Sequence, residues 1–143
     1  MEIDELFKKR LLRKINFDVE KVNSSLRIAE SKIEESKKLF SSNFFSNAVL
    51  SAYTSMFHSA RSLLYKEGIQ EKSHYATYIY TRDKFKGKIS KSLVNSFNVL
   101  REERHKILYG FVEDISKKDA ESYIADAENF LFEVKKIIGE LSK

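Results

Sequence analysis

Arg104 stands where an apolar side chain is expected. Leu93, Phe97, Leu100, Ile107, Leu108 and Phe111 recur at the spacing of one helical face, and Arg104 falls inside that stripe. A charge on an inner face is costly unless a partner or a cleft receives it. Two readings stay open for this arginine. It pairs with an inner acid such as Glu128 or reaches the bundle edge, or else it lines a cleft and meets an anion there. Arg101 and His105, four residues apart, share a helical face beside it. Two guanidinium groups and an imidazole in one patch can hold a phosphate, and a histidine can move a proton near neutral pH. The run Arg101-Glu102-Glu103-Arg104 also reads as a solvated face of mixed charge. Lys84, Lys86, Lys88 and Lys91 form a basic rim around a loop, either a phosphate-binding edge or a solvated charge run.

Other chemistry finds little support. His58 lies opposite the apolar centre of its helix, which places it in solvent or at a subunit contact. His74 opens a later helix, where its ring caps or packs. Three histidines far apart, with no metal-ligand spacing, make no metal site. There is no cysteine, so thiolate sites and disulfides are excluded. No glycine-rich phosphate loop and no nucleophile elbow is present, and no cofactor is expected.

The elements that must position these residues read as helices. Ile3, Leu6, Phe7, Leu11 and Ile15 suggest a short first helix, with Asn16 and Asp18 ending it and capping the next. A second helix over about 18–40 carries Val19, Val22, Leu26, Ile33 and Leu39. Ser42 or Asn43 is the expected N-cap of a third, about 43–67. That helix is the most apolar. Phe45, Ala48, Val49, Ala52, Met56, Ala60 and Leu63 line one side, widened by Tyr53, Phe57 and Leu64, so it is the central helix. Gly68 stops it. A fourth helix spans about 73–85 and a fifth about 90–111. A sixth opens with Ser116-Lys-Lys-Asp119, similar to a capping box, and runs from Ala120 through Phe130, Val134 and Ile138 to Leu141. Short loops between long helices predict an all-α, antiparallel up-and-down bundle of five to six helices in a single domain, 1–143.

Composition agrees. The 143 residues contain no proline and four glycines, are 42% hydrophobic and 33% charged, and carry a net charge of +5. That balance is too apolar for disorder and basic enough to permit an anionic partner such as RNA or a nucleotide. No apolar run approaches the roughly 20 residues of a membrane span. The acidic N-terminal stretch does not read as a signal peptide, which leaves the cytoplasm as the expected compartment.

The stretch Ala48-Val-Leu-Ser-Ala52-Tyr53-Thr-Ser-Met56-Phe57-His58-Ser-Ala60-Arg61-Ser-Leu63-Leu64 resembles the central-helix signature of the HEPN family. Gly68 and Lys72-Ser73-His74, then Arg104-His-Lys-Ile-Leu-Tyr109-Gly110, and finally Ala120 with Ala127-Glu-Asn-Phe130 resemble further positions of a small HEPN subfamily. Ala29-Glu-Ser31 and Asn43-Phe-Phe45 fit as well, and the resemblance covers about 26–138. It implies a helical bundle, commonly a homodimer. It also implies either a metal-independent ribonuclease of a toxin–antitoxin pair or a non-catalytic module that binds a minimal nucleotidyltransferase. Arg104 and Tyr109 carry over as the subfamily's pair, and His105 joins them as a catalytic candidate on local geometry. Arg101, Arg104, Lys84, Lys86 and Lys88 are the candidate contacts to RNA or nucleotide. The nuclease motif is Arg-x4–6-His. Here three residues separate Arg101 from His105, Tyr109 follows Arg104 at the histidine's range, and Leu108 stands where an acid often precedes the tyrosine.

Overall fold

A computed structural model describes residues 2–110 and 115–141, with the side chains of Glu140 and Leu141 outside the description. The expected inner positions Phe111 and Leu141 therefore lie outside the described side chains. The order is α1 (Ile3–Lys8), β1 (Leu12–Lys14), α2 (Val19–Ser41), α3 (Phe45–Lys66), β2 (Ile69–Glu71), α4 (His74–Lys84), α5 (Lys91–Leu108) and α6 (Lys117–Leu141). The fold is an all-α bundle carrying one small two-stranded ribbon.

The expected central helix occupies the centre. α3 packs against α2, α4, α5, α6 and β2, and Ala48, Ala52, Met56, Ala60, Leu63 and Leu64 are fully buried along it. Its small residues let α2 approach closely. Ser55 donates to the carbonyl of Ala29 at 2.8 Å and Ser36 donates to that of Ala48 at 2.7 Å. These buried hydroxyls are therefore satisfied rather than costly. Several caps follow the sequence. Asp18 accepts from the amide of Glu20, Ser73 from that of Ala76, and Ser116 from that of Asp119.

Three local expectations are corrected. The first helix does not reach Leu11 and Ile15. Arg10 takes a left-handed conformation (φ 58°), and the amide of Leu11 returns to the carbonyl of Leu6, which closes the helix. The chain then pairs antiparallel with β2, Leu12 opposite Glu71 and Lys14 opposite Ile69. That partner lies far along the chain, so no local signal announces it. The N-cap of α3 is neither Ser42 nor Asn43. Ser42 closes α2, Asn43 makes the left-handed turn (φ 67°), and Phe44 caps α3 without a side-chain bond. Asparagine tolerates that conformation better than most residues. His58 is half-buried and not in open solvent: its ring meets Phe57 edge-on at 5.6 Å, and its buried Nδ1 has no hydrogen-bond partner among the described residues.

Gly68 does end α3, at φ +71°, and a Cβ there would stand 3.1 Å from the carbonyl oxygen of Ile15. Two requirements therefore meet at this position, a left-handed backbone and close approach of the ribbon. No described helix is long and apolar enough to cross a membrane.

Candidate phosphate-binding cleft

α3 supplies the floor of the site. Tyr53 is 1% exposed, and its ring packs on Phe97 of α5 at 5.8 Å between centroids. Burial holds its phenol well above the ordinary range, an effect that the charges of Arg104 and Arg101 partly oppose. The hydroxyl therefore stays protonated and lies 2.7 Å from Nδ1 of His74, the first residue of α4. The phenol oxygen both donates and accepts, so this contact serves either tautomer of the imidazole. The ring of His74 stacks on Phe57 at 4.2 Å and on Tyr53 at 5.7 Å. Its packing also explains its protonation. Burial first, and then the positive charge of Arg104, lower the His74 pKa below the ordinary imidazole value.

Arg104 reaches this cluster from α5. Its guanidinium carbon stands 5.9 Å from the centroid of the Tyr53 ring, a cation–π distance. The expected partner Glu128 is held instead by Lys37 of α2. Arg104 has no ion pair among the described residues, so a half-buried guanidinium stands beside the Tyr53 ring without a carboxylate partner. Arg101 lies one turn earlier and folds back on its own helix. It donates to Asn98 at 2.9 and 3.1 Å while lying 5.3 Å from the Tyr75 ring and 6.0 Å from that of Tyr78. The two guanidinium groups and the imidazole together offer donors and positive charge, with no carboxylate among the partners just named. A phosphate oxygen fits such a site.

The other candidates separate. His105 is exposed and turned toward Tyr109, with ring centroids 4.6 Å apart. Arg101 and His105 share a helix face, but their side chains leave it in different directions. Tyr109 caps α5 and is 62% exposed. Lys86 and Lys88 line a cavity of about 710 Å³ with Arg82, Lys91 and Glu133. Lys84 lines a different one, of about 940 Å³, with Lys8, Lys66 and Tyr80. Neither cavity is lined by Arg101 or Arg104. Sequence reasoning missed Tyr53 and His74 as functional partners. The Tyr53, Phe57, Arg61, Tyr65 spacing of four was visible, but that α4 would deliver His74 onto it was not. Among the described residues no group of three histidines, cysteines and carboxylates could hold a metal ion.

A helical bundle whose central helix carries a buried tyrosine, faced by an arginine without an ion pair among the described residues and hydrogen-bonded to a histidine, defines a class: small α-helical proteins with a cationic side-chain cluster on the central helix. The family model described as HEPN domain matches residues 22–137, and the chain belongs to the HEPN family. It is 28% identical over 134 residues to "Putative toxin MJ0605" of Methanocaldococcus jannaschii, covering 89% of this chain and 96% of that one. It is 30% identical over 121 residues to a UPF0332 protein of Archaeoglobus fulgidus, covering 80% of this chain and 93% of the relative. A UPF0332 protein of Thermotoga maritima is 26% identical over 119 residues, 82% of this chain and 90% of the relative.

Proposed function

We propose that the Arg104–His74–Tyr53 cleft binds a phosphate of RNA and cleaves the strand without a metal, the chain acting in the cytoplasm as a homodimer of a toxin–antitoxin pair. The observation that carries the reading is the unpaired, half-buried Arg104 guanidinium beside a neutral imidazole. The toxin name of the M. jannaschii relative supports it. With Nδ1–H donating to Tyr53, Nε2 of His74 is free to take the proton of a ribose 2′-hydroxyl. The 2′-oxygen bonds to the adjacent phosphorus, the bond from phosphorus to the 5′-oxygen breaks, and the leaving oxygen takes a proton from water. Arg104 stabilises the extra negative charge that forms on the phosphoryl oxygens. Leu108 and Tyr109, exposed at the end of the arginine's helix, are the apolar contacts offered to a second copy.

The expected result is cleavage of single-stranded RNA in the presence of EDTA, leaving 2′,3′-cyclic phosphate and 5′-hydroxyl ends that mass spectrometry identifies. Intact RNA after prolonged incubation with the purified dimer, or products carrying 5′-phosphates, overturns the mechanism. In that case the non-catalytic reading, a module that pairs with a nucleotidyltransferase, takes its place.

Protonation provides a second check. His74 must be neutral to accept a proton, and the lowered pKa keeps it so at neutral pH. Cleavage therefore rises with pH through a midpoint below the ordinary value of about 6.5 and is flat by about pH 7. Removing the charge in Arg104→Gln raises the His74 midpoint toward that ordinary value, as read from the imidazole proton resonance in an NMR titration. An unchanged midpoint would falsify the electrostatic contact. The same shift has a stability sign. The unfolded chain binds the His74 proton more readily, so stability is lost as pH falls from about 6.5 through the lower folded pKa.

A further inference from the structure

The cation–aromatic contacts continue beyond Arg104. Tyr53, Phe57, Arg61 and Tyr65 follow one another at intervals of four residues and so stand along one side of α3. The Arg61 guanidinium carbon lies 5.3 Å from the Phe57 ring and 5.6 Å from that of Tyr65, and Lys21 Nζ lies 5.7 Å from Tyr65. His74 sits between the two ends, within electrostatic reach of Arg104 and Arg61 and also of the Glu71 carboxylate, which opposes them. From Tyr53 to Tyr65 the helix rises about 18 Å at about 1.5 Å per residue. At the far end an open recess of about 360 Å³ separates α2 from α3, its lining including Lys21, Arg27, His58, Arg61 and Tyr65 together with the acid Glu20.

Carboxylates hold two of the cations along this line in place, a buried one at Arg61 and an exposed one at Arg27. Nε and Nη2 of Arg61 donate to one oxygen of the buried Glu71, which fixes the guanidinium plane; Nη1 makes no hydrogen bond among the described residues. Arg27 meets Glu20 at 4.0 Å, with side chains 65% and 75% exposed, a contact weak enough to yield to a competing anion. Aromatic rings under Arg104, Arg61 and Lys21 restrict these side chains before any ligand arrives.

We propose that this line of cations is a track for one strand of RNA, entering at Arg104 and running past His74 and Arg61 into the Lys21–Arg27 recess. The proposal rests on the reading of the Arg104 cleft as a phosphate site and adds the kind of polymer and its course. A span of about 18 Å is long enough for several successive phosphates of one strand. Tyr75, 36% exposed and backed by Arg101, offers a ring face to an unpaired base at the Arg104 end. Bases in a duplex already have both faces stacked, so the arrangement selects single strands.

The test uses the full chain and two fluorescent probes, an octauridylate whose riboses carry 2′-O-methyl groups and so cannot be cleaved, and AMP, with binding followed by anisotropy between 50 and 200 mM KCl. AMP reaches only the Arg104 end, and Arg104→Ala weakens its binding at least tenfold. In the double variant Lys21→Ala/Arg27→Ala two phosphate contacts are removed. The slope of log affinity against log salt for the RNA then becomes shallower by about 1.4, at about 0.7 per contact on single strands. Both side chains are exposed, so the fold is unaffected. An unchanged slope in the double variant, or a duplex of the same length binding as tightly as the single strand, overturns the track while leaving the Arg104 site standing. AMP binding that ignores Arg104→Ala overturns the site, and the track with it.

Discussion

On the proposed ribonuclease mechanism, Arg104→Ala lowers the rate of RNA cleavage by about 10²–10³-fold while leaving the melting temperature nearly unchanged. The two halves of this expectation come from the same fact. Arg104 is half-buried in the cleft and has no ion pair among the described residues. Its loss therefore orphans no buried carboxylate, the step that makes removing one member of a buried pair so costly. What the fold loses is a cation–π contact with Tyr53, worth about 0.5–1 kcal/mol. The proposed reaction loses a donor aimed at developing charge, and such donors contribute about 2.7–4 kcal/mol to the transition state. Arg104→Lys keeps the charge but not the planar fork, and recovers only part of the rate. Cleavage kinetics and a thermal melt on the same preparation check both halves. A large fall in melting temperature would reassign Arg104 to structure.

The second large effect belongs to Phe97. Its side chain is fully buried and joins three elements. It touches Tyr53 of α3 at 5.8 Å, Tyr78 of α4 at 6.2 Å and Phe130 of α6 at 5.3 Å between ring centroids. Phe97→Ala removes a ring from the junction and leaves a cavity that neighbours on three helices cannot all collapse into. The expected cost is about 3–5 kcal/mol, a large share of the 5–15 kcal/mol that holds a domain of this size together. Urea unfolding reads it as a lower midpoint at unchanged slope. Phe97→Leu retains much of the volume and costs less. Because Phe97 supports the Tyr53 ring, the alanine variant also loosens the Tyr53–His74 hydrogen bond, and the His74 titration shifts upward as the ring gains solvent. A loss below about 1 kcal/mol would show that the junction repacks without it.

The two variants separate what the helix stripe of α5 does. Leu93, Phe97 and Leu100 on that stripe are buried as their spacing requires, but Ile107 is only half-buried and Leu108, expected on the inner face, is 50% exposed because the last turn of α5 runs beyond the packed core. Arg104 falls where the buried part of that face ends, half-buried between the fully buried Leu100 and the exposed Leu108. The interruption was legible without any structure, because a lone charge at an apolar position is conspicuous against a period of 3.6. The partner was not. Glu128 was a reasonable candidate by placement on α6, yet α2 brings Lys37 to it first, and no rule of spacing ranks contacts between helices.

His105 and His74 illustrate the same division. Adjacency on one helix made His105 the natural companion of Arg101, but a shared face does not force side chains together when one has aromatic rings to lie on and the other a tyrosine one turn on. His74 is thirty residues from Arg104 in the chain, and Ser73 caps its helix so that the imidazole lands against Tyr53 and Phe57. The β1–β2 ribbon is a further case: Leu12 pairs opposite Glu71 because the chain returns there.

By itself the sequence determined the helices, the central place of α3, the stop at Gly68 and the anomaly at Arg104. Each is a local property, set by the period of apolar residues, by capping side chains or by the freedom of glycine at positive φ. Tertiary structure alone decided which histidine faces the arginine, that Arg104 goes without a carboxylate, and that the lysines at 84, 86 and 88 divide between two cavities. Those are relations between elements far apart in the chain. They are set by how helix faces pack, which the local pattern of residues constrains only to a face and not to a neighbour.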